Sequence, residues 1–158
     1  MGVEAFLAIA IFEELGIASH MDPNIAVAAQ RIATQAHDGQ FRRDSGEPYI
    51  EHPRAVASRV GDDVEAQVVA WLHDVLEDCN VSKEQLQEAG IPQHCIDAVE
   101  LLSKTPDHPY EDYLKRVAQN PLATKVKIAD MISNLADHPS KNQLKKYAAG
   151  LVRLTRDL

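Results

Sequence analysis

His73-Asp74 and Glu77-Asp78 stand in a stretch that is otherwise apolar, with Val68, Val69, Ala70, Trp71, Leu72, Val75 and Leu76 around them. As a helix over 64–78, that stretch is hydrophobic nearly all round, the mark of a buried helix. The pairs His73/Glu77 and Asp74/Asp78 are spaced i,i+4 and fall on neighbouring parts of one side. Carboxylates buried in this way need a compensating partner. A metal ion with a bound water supplies one, taking imidazole and carboxylate ligands from the helix.

A second apolar helix repeats the pattern after Pro121. Leu122, Val126, Ile128, Ala129, Met131, Ile132 and Leu135 cover most of it, while Lys127, Asp130 and Asn134 share one stripe at i, i+3 and i+7. Asp130 is therefore a second source of ligands. His52 is a third, at the end of a long loop just before Pro53, where a rigid neighbour can aim a loop residue. Each signal has a bland counterpart. A single His-Asp pair is ordinarily a surface pair, Lys127 and Asp130 read equally as a solvated ion pair worth a few tenths of a kcal/mol, and His37 reads better as a packing or capping residue than as a ligand. The weight lies in four potential ligands in a fixed order, two of the segments otherwise apolar.

The elements that must position these groups read as helices. Pro follows a plausible cap at Asp22-Pro23 and Asn120-Pro121, and Ile91-Pro92 has the same form without a good cap. Ser82 and Gln85 have capping-box spacing, and Gly90 can close the short helix that they open. Helices are expected near 24–38, 53–60, 64–78, 82–89, 93–104, 109–119, 121–138 and 141–157, and no run alternates with strand period two. The class is all-α. Residues 39–51, rich in Gly, Asp, Ser and Pro, form the one long loop. Residues 1–20 are expected to be an appendage whose apolar run packs on the domain or on a second subunit, and 21–158 to be a single domain.

Composition narrows the function classes. The chain of 158 residues is 45% hydrophobic and 25% charged, ordinary for one globular domain. A net charge of −8 argues against a nucleic-acid binder, which needs a basic face. It still allows an anionic small molecule held by a metal ion and local cations. Cys79 and Cys95 form no CxxC pair and no secretory signal is evident, so a reducing cytoplasm is the simplest compartment. The apolar run over 6–12 is too short to span a bilayer, and no membrane association is expected. A homo-oligomer is compatible with all of this.

Four motifs in order then match a known family. Gln35-Ala36-His37-Asp38-Gly39-Gln40, Arg43 with Ser45-Gly46-Glu47-Pro48-Tyr49-Ile50-Glu51-His52-Pro53, His73-Asp74-Val75-Leu76-Glu77-Asp78, and Lys127-Ile128-Ala129-Asp130 with Asn134 resemble the HD-type hydrolase domain of alarmone synthetase/hydrolases, the RelA/SpoT family. The likeness is nearest to the small alarmone hydrolases, which consist of that domain alone. It implies an all-α HD-domain helical bundle binding one Mn²⁺ ion through His52, His73, Asp74 and Asp130. It also implies that Glu77 and Asp78 activate and position the attacking water, that Arg43 packs near the guanine, and that Asn134 contacts the nucleotide. Lys104 and Tyr147 lie where further substrate contacts are expected. The implied reaction converts ppGpp or pppGpp to GDP or GTP and pyrophosphate, with the guanosine polyphosphate as the partner.

Two departures stand out. Asp44 occupies a position usually held by Lys or another polar residue, and Ala136-Asp137 replaces an Arg-Thr or Arg-Asp pair. Each loses or reverses a local positive charge, which bears on how many phosphates are preferred and where. Two alternatives follow: an HD phosphohydrolase acting on a nucleoside monophosphate or on NADPH, and a nucleotide-binding module without turnover.

Overall fold

The structure is a computed structural model and describes residues 22, 24–43, 45–104 and 107–156. The expected appendage over 1–20, Pro23 and the departure at Asp44 lie outside the described residues. Helix α1 (Asn24–Ala36) starts behind Asp22, whose Oδ1 accepts the Asn24 N–H at 2.9 Å. It buries Ala26, Ala29 and Ala33, one small residue per turn, so its backbone lies close against the helix it packs on. That helix is α3 (Val64–Leu72), capped by Asp63 Oδ1 on the Ala66 N–H at 3.0 Å. It is buried on nearly every side and packs against α1, α2 (Glu51–Arg59), α6 (Gln93–Leu102) and α8 (Pro121–Ala136). All described elements are helical; the one extended pairing is a single antiparallel bridge between Phe41 and Pro48.

Two expectations need correction. The helix expected over 64–78 stops at Leu72, turns through His73 and Asp74, and resumes as α4 (Val75–Asp78). The His73 ring Nδ1 bonds the Ala70 carbonyl at 2.7 Å, the acceptor that the Asp74 N–H would take in an unbroken helix. Asp74, with φ −105° and ψ −7°, stays in the right-handed region but departs from ideal helical angles. His52 is the second case. It sits inside the first turn of α2, which begins two residues before Pro53, and proline is tolerated there because a first-turn N–H has no helical partner.

The remaining helices follow their signals. Helix α5 (Lys83–Glu88) carries the full Ser82/Gln85 capping box, and Gly90 beyond it takes φ +82°. Helices α7 (Tyr110–Val117), α8 and α9 (Lys141–Thr155) complete the bundle. Asn120 caps α8 through its Oδ1 on the Ala123 N–H at 2.9 Å, with Pro121 at the first position. Gly150 lets α9 press on α8: a Cβ there would sit 2.7 Å from Met131 Cε.

Candidate metal centre and active-site cleft

His52 from α2, His73 and Asp74 from the break, and Asp130 from α8 meet in the interior. His52 Nε2 lies 3.0 Å from Asp130 Oδ1 and 3.8 Å from Asp74 Oδ2; His73 Nε2 lies 3.0 Å from Asp74 Oδ2 and 3.8 Å from Asp130 Oδ1. Nitrogen and oxygen thus alternate around a quadrilateral. Atoms bound at about 2.1 Å to one centre lie about 3.0–3.4 Å apart at right-angled to tetrahedral bond angles, and the four edges bracket that range. The ligand atoms of His52, His73 and Asp130 all lie within 4.8 Å of one another. His73 Nε2 is buried and makes no hydrogen bond despite its 3.0 Å approach to Asp74. A buried imidazole nitrogen that approaches two carboxylates without hydrogen-bond geometry to either suits a metal ligand. The donor set of imidazole and carboxylate fits a divalent transition ion.

Neighbouring side chains hold these groups in place. Burial opposes the charge on His73, yet Asp74 and Asp130 outweigh it and raise its pKa to about 9. Burial likewise opposes ionisation of Asp130, and Lys127 and the two histidines hold it well below the usual carboxylate range. Lys127 is buried with its Nζ on Asp130 Oδ2, so the expected stripe is an interior ion pair and not a solvated one. Asn134 Nδ2 donates to Asp130 Oδ1 at 2.8 Å. Tyr49 OH donates to Asp74 Oδ2 at 2.7 Å, and burial beside that carboxylate pushes the hydroxyl pKa up, so it remains a donor. His37 packs, as expected, with its ring 4.7 Å from that of Tyr49 and its Nδ1 on Gln40 Oε1 at 2.8 Å.

Above this centre opens a cleft of about 200 Å³. His52, Asp74, Asp130, Glu77, Asp78, Arg43, Asn134, Lys104 and Tyr147 all line it; His73 alone of the expected residues lies beneath. Glu77 lines the cleft; its Oε2 accepts the Lys104 backbone N–H at 2.9 Å, and its Oε1 lies 3.9 Å from Lys104 Nζ. Burial, Asp74 and Glu77 all raise the Asp78 pKa. Lining residues that the sequence reading did not assign are Arg42, Tyr49 and Lys127. Arg42 pairs with Asp137 at 2.9 Å, which answers one departure: the acidic residue recruits a cation from the opposing loop. Lys127 had a signal, a lysine three residues before an aspartate on an apolar helix. Tyr49 stood in a quoted motif without a role and Arg42 had no signal, because their partners are far away in sequence.

A family model described as an HD domain matches residues 29–108, just over half of the chain. The chain belongs to the HD-domain family. That match takes in His52, His73 and Asp74, whereas Asp130 lies beyond it and joins them through the fold. The guanosine-3′,5′-bis(diphosphate) 3′-pyrophosphohydrolase of Haemophilus influenzae is 49% identical over 79 residues, 46% of this chain and 11% of that protein. The enzyme of the same name from Vibrio cholerae is 39% identical over 104 residues, covering 63% and 14%. A probable member from Synechocystis is 37% identical over 133 residues, covering 75% and 17%. This HD chain therefore spans less than a fifth of the length of these relatives. A solved structure, described as a metazoan ortholog of SpoT that hydrolyzes ppGpp and plays a role in starvation responses, superposes with a TM-score of 0.68. It is 22% identical, with 83% of this chain and 85% of that chain covered, and establishes the shared HD fold. No helix among the described residues is long and apolar enough to cross a membrane.

Proposed function

We propose that this chain is a Mn²⁺-dependent pyrophosphohydrolase that removes the 3′-pyrophosphate of ppGpp and pppGpp, with His52, His73, Asp74 and Asp130 as the ligands of one ion and 21–158 as the catalytic unit. The observation that carries the reading is the buried His73 Nε2, without a hydrogen bond and close to Asp74 and Asp130, beneath a cleft lined by both carboxylates and cations. When bound, such an ion supplies Lewis acidity toward a phosphate oxygen and favours deprotonation of water. The rest falls to the chain. Glu77, with Oε2 engaged by the Lys104 N–H, receives the proton of the attacking water on Oε1, and Asp78 beside it positions that water. The water oxygen bonds to phosphorus, the bond from phosphorus to the ribose 3′ oxygen breaks, and that oxygen takes up a proton. Products are pyrophosphate and GDP or GTP.

The cleft volume of about 200 Å³ is below the range of about 300–1,000 Å³ usual for sites that engulf a whole ligand. It suits the diphosphate, with the nucleoside over the rim. There Arg43 meets the guanine, while Asn134, Lys104 and Tyr147, which also line the cleft, make further contacts to the nucleotide. Incubating Mn²⁺-loaded protein with ppGpp, pppGpp, NADPH and a nucleoside monophosphate panel, with products resolved by ion exchange, tests this. Pyrophosphate with GDP or GTP is expected. Release of orthophosphate alone, from any of them, overturns it in favour of a phosphatase.

A further inference from the structure

Tyr49 occupies an unusual junction. Its hydroxyl donates to Asp74 Oδ2 at 2.7 Å and reaches Asp78 Oδ2 at 3.5 Å. One phenol thus touches a carboxylate assigned to the metal and a carboxylate assigned to the water. Its own backbone ties both ends of the loop: the Tyr49 N–H donates to the Gln40 carbonyl at 2.9 Å, and the Tyr49 carbonyl accepts the His52 N–H at 2.9 Å. The ring is fixed on two sides, by His37 at 4.7 Å and by His52 at 5.9 Å between centroids. Gln40, joined to Tyr49 through the backbone, donates its Nε2 to the Asp78 carbonyl at 3.2 Å. The loop between α1 and α2 therefore clasps α4 twice, at the Asp78 backbone and at the carboxylates.

We infer that Tyr49 is a positioning residue, which sets the orientation of the Asp74 carboxylate toward the metal and holds it in fixed relation to Asp78. The inference rests on the ligand assignment proposed above. A carboxylate has two oxygens and free rotation about its last torsion, and Asp74 lies in the turn between two helices with no other side-chain hydroxyl on it. Asp130 has two such restraints, Lys127 and Asn134. Tyr49 supplies the corresponding restraint for Asp74 from outside the α3–α4 segment. Partners that orient a metal ligand in this way typically affect metal affinity about 10–100-fold.

The test is Tyr49→Phe, which keeps the ring between His37 and His52 and removes the oxygen alone. Mn²⁺ binding is titrated directly, without substrate, alongside thermal unfolding of the metal-free and metal-loaded forms. The Mn²⁺ dissociation constant should rise about 10–100-fold, and the metal-free melting temperature should change little. At saturating Mn²⁺, kcat should fall while KM stays near the wild-type value, because Asp78 loses its link to Asp74. A purely structural tyrosine would instead lower both melting temperatures equally and leave metal affinity alone, and that result overturns the inference. As a second variant, His37→Leu removes the ring that backs Tyr49 and the Nδ1 partner of Gln40, keeps the Tyr49 hydroxyl on Asp74, and should weaken Mn²⁺ binding in the same direction by less. If His37→Leu weakens it more than Tyr49→Phe, the hydroxyl is not the cause. If the wild-type chain binds no Mn²⁺, the ligand assignment has failed; if wild type binds and Tyr49→Phe binds equally well, only the role of Tyr49 has.

Discussion

Glu77→Gln separates the chemistry of Glu77 from its structural duty. In the folded chain, Oε2 accepts the Lys104 backbone N–H at 2.9 Å, and a glutamine oxygen can accept the same bond. Replacing a charged acceptor by a neutral one there costs about 1 kcal/mol, the difference between charged and neutral hydrogen bonds, and less at a position open to solvent. For a chain of this length the melting temperature should drop by about 2–4 °C at most. Loss of a positioned base is larger: about 10²–10⁴-fold in kcat, or about 3–5.5 kcal/mol of barrier. The assay is kcat and KM for ppGpp at saturating Mn²⁺, with metal content and melting temperature on the same sample. Turnover should collapse with metal content and KM nearly kept. A kcat close to wild type would refute the base assignment, and a raised KM with kcat intact would make Glu77 only the anchor of the Lys104 segment.

Asp74→Asn should lose metal and activity together, shown by elemental analysis after Mn²⁺ loading, and a variant that retains stoichiometric metal would remove Asp74 from the ligand set. Arg43→Ala, at the exposed rim, should raise KM with kcat nearly unchanged, since a cation that meets the base acts equally on ground and transition states; a loss confined to kcat would contradict that. The metal-free protein should lose stability as pH rises. His73 has a folded pKa raised to about 9 against 6.5, so its ionic contribution, on the order of 3 kcal/mol, is complete below pH 6.5 and gone above about 9. Chemical denaturation of the metal-free form across that window should reveal the decline, and a flat profile would contradict the His73 charge. Across the same window Mn²⁺ affinity should climb, because the proton on His73 must leave before the ion is bound.

That last window shows where sequence reasoning stopped. Two buried carboxylates from different segments move the His73 pKa from 6.5 to about 9, and no local pattern announces both. Caps and apolar stripes did announce the helices, because Asn120-Pro121 and Ser82 with Gln85 act within one turn. His73 and Asp130 were legible as ligand types in apolar helices, and His52 as a loop residue aimed by the helix start at Pro53. The interruption at His73-Asp74 was not, since the bonds found there are a ring bond to the Ala70 carbonyl and a hydroxyl bond from Tyr49 to the Asp74 side chain, and the second comes from 25 residues away. Lys127 was legible as a partner of Asp130 and illegible as a buried one, because depth depends on how α7 and α9 cover α8.

The interruption also bears on the order of events as the chain matures. Successive side chains on a continuous helix diverge by about 100°, so His73 and Asp74 would not converge there. Their ring nitrogen and carboxylate oxygen approach to 3.0 Å only around the turn. A chain still emerging from the ribosome, with α2 and α8 not yet docked, holds the His-Asp dipeptide but lacks both His52 and Asp130 beside it. Under the proposed ligand set, a peptide spanning 64–78 should be a poor chelator, because two of the four ligands lie outside it.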